Sequence, residues 1–407
     1  MTSEADTIAH VVLKEFDRLP PKRKPQIRGN GIREWVPLSG IVAKHGDGSF
    51  KCLALATGMK CLPATKIPSA NGTVLHDWHA EVLAMRILNH FVLQECKAVA
   101  EGKNSTYVRR KADGEPGTQP FHWREGITLH MYCSKTPCGD ASMEGTMSAQ
   151  DDASPWETPL PQHLMDKVDS DSPELALLGR ACFSQLGVIR RKPARADAPP
   201  TLSKSCSDKI ALKQCTSLLN SLTSLLVSPR GVYLSSLILP ESQFSATACN
   251  RCFTAQGRMA PVRDFQGDWE DGYSFAPFEI QTTELEFEYS SCGLDKEEKA
   301  KYVASNLAMA WSCNGLAENV IGGVLQGRKQ SDPRGGSAVS RAKMWALAIE
   351  VAGMADMGGL AHLHGTYREV KEGKLAAGRR KVKEQVRGVA LKGWVRNTGD
   401  EAFGLSI

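Results

Sequence analysis

Apolar residues recur at helical spacing in two segments near the start of the chain. Ile8, Val11, Val12 and Phe16 fall on one face of a predicted N-terminal helix. The segment 79–94, HAEVLAMRILNHFVLQ, repeats apolar residues at the same spacing and predicts a second helix. Between them, WVPLSGIVA and KCLALATG are rich in β-forming residues and bounded by glycine, which predicts two strands.

The remaining apolar segments continue this alternation of strands and helices. ITLHMYCS, at 127–134, is the next predicted strand, and it leads through the turn KTPCGD into a helical segment, ASMEGTMSAQ. GVYLSSLIL and LEFEYS predict further strands, and SAVSRAKMWALAIEVAGM predicts a further helix. Because strands and helices alternate along the chain, the pattern predicts an α/β fold.

Polar stretches set the predicted domain organisation. The basic, proline-rich segment 19–26 is interpreted as a solvated linker, with a nuclear-localisation patch as the alternative. Segments near 101–125 and 151–173 are polar and rich in turn-forming residues, so a long loop and a surface insertion are expected there. We therefore predict an N-terminal helix and linker over 1–30 and one elaborated domain over 31–407.

Composition excludes several classes of protein. The 407 residues are 42% hydrophobic, which is enough for a sizeable core and excludes a wholly disordered chain. Twelve cysteines are spread from Cys52 to Cys313 in no dense framework, so reduced thiols are expected. The acidic N-terminus is unlike a signal peptide, and Pro229 and Arg230 interrupt the most apolar stretch. We expect an intracellular protein, in the nucleus, the cytoplasm or both, with no membrane contact and no obligate protein partner.

The net charge of +5 hides an uneven distribution. Ten lysines and arginines but only three glutamates fall between residues 366 and 396, so the rest of the chain is close to neutral. By composition alone, this stretch is compatible with a solvated helix face or with a stripe that faces RNA.

Two short motifs stand at predicted helix starts. His79 and Glu81 belong to H-A-E at the start of the second helix, and Cys138 follows Pro137 directly after a strand. Either motif alone carries little weight, since a histidine at a helix start is more often only hydrogen-bonded. Together they match the zinc nucleoside-deaminase pattern, in which histidine and cysteine bind zinc and the glutamate carries protons.

The third zinc ligand has to come from outside this pattern. The pattern continues P-C-x-x-C, but Ala141 stands where the second cysteine belongs, and zinc needs three protein ligands beside its water. Cys206, in the polar, helix-opening segment SKSCSDKIA, is the best candidate, and Cys133, in an apolar strand, is the alternative. Cys249 and Cys252 have ligand-like spacing but no second pair follows, so we interpret their spacing as chance.

Three motifs in order carry a family resemblance. With H-A-E, P-C-G-D and S-C-S-D-K, the chain resembles the RNA adenosine deaminases, which act on tRNA in eukaryotes or on double-stranded RNA. The resemblance runs from about residue 31 to the C-terminus and includes TGMKCLP, RRKPARAD and GWV. It implies a cytidine-deaminase-like three-layer α/β/α fold with a mixed central sheet and extra C-terminal helices.

The resemblance also implies a reaction. RRKPARAD is similar to the tRNA-specific branch, and residues 1–30 are too few for a double-stranded-RNA-binding domain. That branch implies zinc-dependent hydrolytic deamination of adenosine to inosine, at the adenosine immediately 3′ of the anticodon of alanine tRNA. The alternatives are editing of double-stranded RNA and a catalytically silent subunit that binds RNA or inositol phosphate.

Individual residues acquire expected roles from the same resemblance. It implies a zinc ion held by His79, Cys138 and Cys206, with Glu81 carrying protons between water and adenine. It also implies a buried inositol hexakisphosphate, whose expected contacts are Arg86, Lys209, Arg328 or its neighbour Lys329, Tyr367, Lys371, Lys381 and Trp394. The positions that depart from the family at this polyphosphate site are Met85, Leu212, Ala377 and Arg396. The expected tRNA contacts are Lys60, Arg190, Arg191, Lys192 and Arg195.

Overall fold

A computed structural model describes residues 3–148, 177–178, 185–192, 198–291, 301–357 and 365–404. In chain order the strands are β1 (Arg33–Trp35), β2 (Leu38–Lys44), β3 (Phe50–Thr57), β4 (Val108–Arg110), β5 (Phe121–Trp123), β6 (Thr128–Cys133), β7 (Leu177–Leu178), β8 (Arg190–Arg191), β9 (Leu234–Pro240), β10 (Glu279–Thr283), β11 (Tyr302–Ala304), β12 (Ala308–Ser312), β13 (Ala317–Ile321) and β14 (Val324–Leu325). The described α-helices are α1 (Glu4–Asp17), α2 (Ala80–Ala100), α3 (Met143–Ser148), α4 (Cys206–Thr216), α5 (Thr223–Leu226), α6 (Ala246–Phe253), α7 (Arg341–Met354), α8 (Tyr367–Glu372) and α9 (Ala377–Val389).

An eight-stranded mixed sheet forms the centre of the protein. Its strand order is β10-β9-β6-β2-β3-β12-β13-β14. β10, β9 and β6 pair in parallel, whereas β6 with β2 and every later pair run antiparallel. The mixed sheet confirms the predicted α/β class.

Helices cover both faces of this sheet, because side chains along each strand alternate between two cores. Along β2, Val42 packs with the buried face of α1, where Ile8 and Val12 lie. Ile41 and its neighbours on the same face pack with α2 instead. Gly40 allows α1 to approach closely, since a Cβ there would lie 2.6 Å from a methyl group of Val12. The result is the three-layer arrangement that the resemblance implied, and α1 is part of it.

The C-terminal part adds the extra helices α7, α8 and α9 beside the sheet. α2 spans Ala80–Ala100, a turn and a half longer at its C-terminal end than the sequence pattern predicted. Among the described residues, no helix is both long enough and apolar enough to span a bilayer.

Two of the predictions about local structure are wrong. The segment 101–125 is not only a loop, since β4 and β5 pair within it as an antiparallel hairpin. LEFEYS forms no strand; the strand of this region is β10, and Phe287 and Tyr289 pack against Phe16 of α1 instead. Alternating aromatic residues are typical of a strand, but here they pack against α1 without pairing with a neighbouring strand. The predicted insertion at 151–173 lies outside the described residues.

Candidate active site

Three loops bring a nitrogen and two sulfur atoms together at one end of the sheet. His79 is the N-cap residue of α2, and its side chain makes no capping bond to the helix. Cys138 follows β6, and Cys206 is the first residue of α4. One ligand atom from each of these residues lies within 4.8 Å of the others, and Cys138 Sγ is 3.9 Å from His79 Nδ1.

The two cysteine-bearing turns are bonded directly to each other. The backbone N–H of Ser207 donates to the carbonyl of Cys138 at 3.0 Å, and the Ser207 hydroxyl donates to the carbonyl of Pro137 at 2.8 Å. Gly139 has a positive φ of 108°, and a Cβ there would lie 2.2 Å from the hydroxyl oxygen of Ser205. Only glycine allows this approach, which explains the G of the P-C-G-D motif.

These three residues fit a zinc ion. One imidazole nitrogen and two thiolates are ligands that zinc prefers, and tetrahedral zinc with bonds of about 2.0–2.3 Å places its ligand atoms within 4 Å of one another. A hydrogen bond from the Cys206 side chain lowers the pKa of Cys138 well below its ordinary value, despite burial, with help from Lys192. Cys133 is buried, accepts a hydrogen bond from Ser39 and lies outside this group. The position of Cys206 therefore suits a third ligand, and that of Cys133 does not.

Glu81 lies in the first turn of α2, two residues after His79, and is only 5% exposed. Burial raises the pKa of its carboxyl, and the nearby Cys138 thiolate raises it further. Glu81 does not belong to the group of ligand atoms. A buried carboxyl beside a ligand group, but outside it, is placed as a proton carrier needs to be.

A second buried carboxylate, Asp77, joins this site to the basic side chains behind it. Its Oδ1 accepts the backbone N–H of His79 at 3.0 Å, and its Oδ2 accepts a bond from Lys192 Nζ at 2.8 Å. Lys209 Nζ bonds to the same oxygen, and Lys192 Nζ also lies 3.2 Å from Cys206 Sγ. Burial opposes ionisation of Asp77, but Lys192 and Lys209 hold its pKa well below the ordinary value. Sequence reasoning missed Asp77, although it stands two residues before the motif histidine.

This network corrects the expectation that Lys192 contacts tRNA. Its side chain is buried against Asp77 and Cys206, so it cannot reach a phosphate of a macromolecule. The expectation that Arg190 contacts tRNA is corrected for the same reason. It is fully buried, its N–H donates to Asp208 Oδ2 at 3.0 Å and its guanidinium donates to the carbonyl of Gln185 at 2.6 Å.

The other expected tRNA contacts stay predictions. Arg191 is half-buried and pairs with Lys204 through a β-bridge. Lys60 is half-buried, and its carbonyl accepts the N–H of Trp78 at 3.1 Å, one residue before the motif histidine. Arg195 lies outside the described residues.

A basic cavity of about 490 Å³ lies behind the group of His79, Cys138 and Cys206. Eleven lysines and arginines line it against four carboxylates. The cations are Arg86, Lys204, Lys209, Arg341, Arg368, Lys371, Arg379, Arg380, Lys383, Arg387 and Arg396. Since Asp77 and Lys209 also line it, the cavity and the ligand group share a wall.

Aromatic rings hold several of these cations in place. The ring of Tyr367 is buried, with Lys371 Nζ 5.6 Å and the Arg341 guanidinium carbon 5.8 Å from its centroid. Trp394 lines the cavity, with the guanidinium carbon of Arg387 4.9 Å from its centroid. Both arrangements are cation–π contacts, which fix the cations without neutralising them.

The structure places the expected polyphosphate contacts in two groups. Arg86, Lys209, Lys371 and Trp394 line the cavity, and Tyr367 supports it from behind. Arg328 and Lys381 do not, which corrects both expectations.

Each of these two residues points elsewhere for an evident reason. Arg328 is exposed and pairs with Asp332 at 3.2 Å. Lys381 is exposed and donates to the carbonyl of Asp268 at 2.9 Å. On α9, residues four apart share a face, so Arg379, Lys383 and Arg387 face inward and Lys381 does not.

The cavity cations lack sufficient negative partners among the described residues. Burial and the nearby Arg341 lower the pKa of Lys371 to about 8, and burial and Arg379 lower the pKa of Lys383 well below its ordinary value. Arg379 Nε is a buried donor with no hydrogen-bond partner in the described structure. Cations are buried together at high cost unless an anion compensates them, so this donor set fits a dense polyanion.

Comparison with known proteins identifies the family. The family model of the adenosine-deaminase (editase) domain matches residues 54–398. The chain is 37% identical to "tRNA-specific adenosine deaminase 1" of Schizosaccharomyces pombe over 97% of this chain and 95% of that protein. It is 35% identical to the Saccharomyces cerevisiae protein of the same name over 58% of each chain. It is 28% identical to the "Double-stranded RNA-specific editase Adar" of Drosophila melanogaster over 61% of this chain and 35% of that protein. The chain belongs to the adenosine-deaminase (editase) domain family and is a hydrolase that acts on adenosine.

Proposed function

We propose that this protein deaminates adenosine to inosine in tRNA, at the adenosine immediately 3′ of the anticodon of alanine tRNA. The observation that carries the reaction is the buried Glu81 beside the ligand group of His79, Cys138 and Cys206. tRNA is favoured as the substrate because a relative that matches 97% of this chain is named a tRNA-specific adenosine deaminase.

In the proposed mechanism, His79, Cys138 and Cys206 would hold zinc, which would supply the Lewis acidity that makes a water molecule more acidic. Glu81 accepts a proton from this water as its oxygen attacks C6 of adenine. Glu81 then delivers the proton to N1 and later helps to protonate the departing amino group, so that water and adenosine give inosine and ammonia. Burial of Glu81 keeps competing solvent away from these transfers.

The ligand set has a direct test in metal analysis. Cys206→Ser should abolish stoichiometric zinc, since it removes one of the three ligands, whereas Cys133→Ser should keep it. The two cysteines are both buried, so the pair controls for loss of a core thiol. Full zinc in Cys206→Ser and loss in Cys133→Ser would overturn the assignment of Cys206.

We also propose that the basic cavity holds inositol hexakisphosphate. The excess of cations, the unpartnered donor on Arg379 and the aromatic supports around Lys371 and Arg387 favour a compact polyphosphate over a single phosphate. Protein purified from eukaryotic cells and then denatured should release about one equivalent, measured by anion-exchange chromatography. Release of none would contradict the proposal.

The reaction and its position are tested together on transcribed tRNA. Zinc-loaded protein is incubated with alanine tRNA, with the same tRNA carrying guanosine 3′ of the anticodon, and with a double-stranded RNA duplex. Sequencing should find inosine in the first RNA only. Inosine in the duplex alone would favour the editing alternative, and inosine in none of the three would favour a silent binding subunit.

A further inference from the structure

Each cysteine-bearing turn ends in a buried carboxylate. Asp140 stands two residues after Cys138, and Asp208 stands two residues after Cys206. Both aspartates are 0% exposed. A carboxylate buried so completely needs charged or hydrogen-bonding partners, so whatever pairs with these two side chains also fixes the turns that carry them.

Arg251, in the last turn of α6, binds the first turn. Its Nε donates to the Asp140 carboxylate at 3.1 Å, and its Nη2 donates to the Asp140 carbonyl at 2.9 Å. The same guanidinium pairs with Glu144, on the turn's continuation into α3, at 2.5 Å. Arg251 therefore ties backbone and side chain of the Cys138 turn to α6.

Arg258, seven residues further along, binds the second turn. Its Nη1 donates to Asp208 Oδ1 at 2.7 Å, and only 5% of the Arg258 side chain is exposed. The other carboxylate oxygen of Asp208 accepts the hydroxyl of Ser205 at 2.6 Å, at the N-cap of the helix that Cys206 begins. Arg258 therefore fixes the start of α4.

A tight turn holds the two arginines in a fixed relation. The N–H of Arg258 donates to the carbonyl of Arg251 at 2.8 Å. A Cβ at Gly257 would lie 2.2 Å from the carbonyl oxygen of Asn250, so only glycine fits there. Arg258 Nε also donates to the carbonyl of Cys252 at 3.0 Å. The Cys249-x-x-Cys252 segment, whose cysteines are buried, is thus the base of this turn.

We propose that Arg251 and Arg258 are positioning residues that hold Cys138 and Cys206 at the spacing zinc needs. One short segment contacts both turns through aspartates at the same offset from each cysteine, so it supports their spacing in addition to the direct bonds through Ser207. The inference rests on the proposed zinc-dependent function. It assigns a role to a segment far in sequence from all three family motifs.

Zinc affinity, measured by competition with a chromophoric chelator, tests the proposal. Arg258→Met should weaken zinc binding about 10- to 100-fold, as loss of partners behind metal ligands generally does. Arg258→Lys keeps a cation for Asp208 and should recover part of the affinity. Arg251→Gln provides a second, milder variant in case Arg258→Met fails to fold.

A matched control separates positioning from general stability. Met259 is a fully buried core residue next to Arg258, so Met259→Ala should lower the melting temperature. It touches neither aspartate through a hydrogen bond and should leave zinc affinity within about threefold of wild type. The visible spectrum of cobalt-substituted protein, which reports the metal geometry, should change in the arginine variants and not in Met259→Ala.

The outcomes distinguish this inference from the proposed function. If wild-type protein binds no zinc, the proposed function fails. If wild-type protein binds zinc and Arg258→Met and Arg251→Gln bind it equally well, or if Met259→Ala weakens binding as much as they do, the positioning role is overturned.

Discussion

Lys192 and Lys383 lie on opposite sides of the wall that the ligand group shares with the basic cavity, and their pKa values are shifted in opposite directions. Lys192, beside the ligand group, is desolvated, yet Asp77 and the thiols of Cys138 and Cys206 raise its pKa well above the ordinary value. Lys383, on the wall of the basic cavity, has its pKa lowered well below the ordinary value, by burial and by neighbouring cations.

The difference shows that three buried aspartates of one region have cationic partners within the chain, whereas the cations of the other region outnumber the carboxylates around them. Around His79, Cys138 and Cys206, the chain itself supplies cationic partners for the buried carboxylates Asp77, Asp140 and Asp208. In the cavity, eleven cations face four carboxylates, an excess of positive charge that fits the proposed polyphosphate. The two regions should therefore respond differently when a single lysine is removed.

The largest effect is expected at Lys192. Lys192→Met leaves Asp77 with one fewer cation in a buried site and should lower the free energy of unfolding by about 3 kcal/mol. The loss should be the same with and without inositol hexakisphosphate, measured by urea denaturation. Lys103→Met is the control, since Lys103 pairs with Glu101 at the surface and such pairs contribute less than about 1 kcal/mol. A loss that vanishes when the polyphosphate is added would break the comparison.

A smaller effect, of opposite sign in two conditions, is expected at Lys383. Lys383→Met removes one cation from a repelling group, so the ligand-free protein should become more stable, on the order of 1 kcal/mol. With inositol hexakisphosphate bound, the same change removes an attraction, so the variant should be less stable than wild type. Thermal unfolding with and without the polyphosphate measures both. The same sign in both conditions would show that the cavity does not need an external anion.

The smallest effect concerns pH. The pKa of Lys371 is about 8 in the ligand-free protein, against 10.5 ordinarily, so between these values the unfolded chain binds more protons than the native one. Below about pH 8, Lys371 is charged in both states, and its burial destabilises the native state to the full extent. As pH rises from about 8 to 10.5, the native state loses this proton first, so the free energy of unfolding rises. Lys371→Met should reduce this rise. Lys374→Met, at an exposed position nearby, should leave it unchanged.

The sequence predicts that His79, Cys138 and Cys206 come together because they belong to short contiguous motifs, and the structure brings their ligand atoms within 4.8 Å of one another. His79 and Cys206 stand at helix starts as predicted, whereas Cys138 lies in the loop between β6 and a 3-10 turn at Asp140–Ser142 and does not itself open a helix. The α/β class was predictable for the same reason, since period and alternation are local properties. Asp77 could have been suspected only from its position next to the motif.

The basic cavity was harder to predict because its residues are distant in sequence. Arg86, Lys204 and Arg341 meet Lys383 only through packing of the helices on the sheet. Family matching without that packing placed Lys381 inside, although it lies on the outer side of α9.

For the run of basic residues near Arg190, the error has the opposite sign: the sequence predicts exposure and the structure shows burial. Arg190 and Lys192 stand in a run of cations that predicts exposure, but both are buried: Lys192 pairs with Asp77, and the Arg190 guanidinium donates to the carbonyl of Gln185. Sequence shows the charge of a residue but not the partner that burial will give it.

The most direct test of the account is the rate of inosine formation by Glu81→Gln, measured on alanine tRNA together with zinc content. The carboxamide keeps the shape of the side chain but cannot carry the proton, and general acid–base catalysis is worth about 10²- to 10⁴-fold. The account predicts a fall in turnover of this size with zinc content unchanged. Turnover within tenfold of wild type, in a variant that retains its zinc, would contradict it.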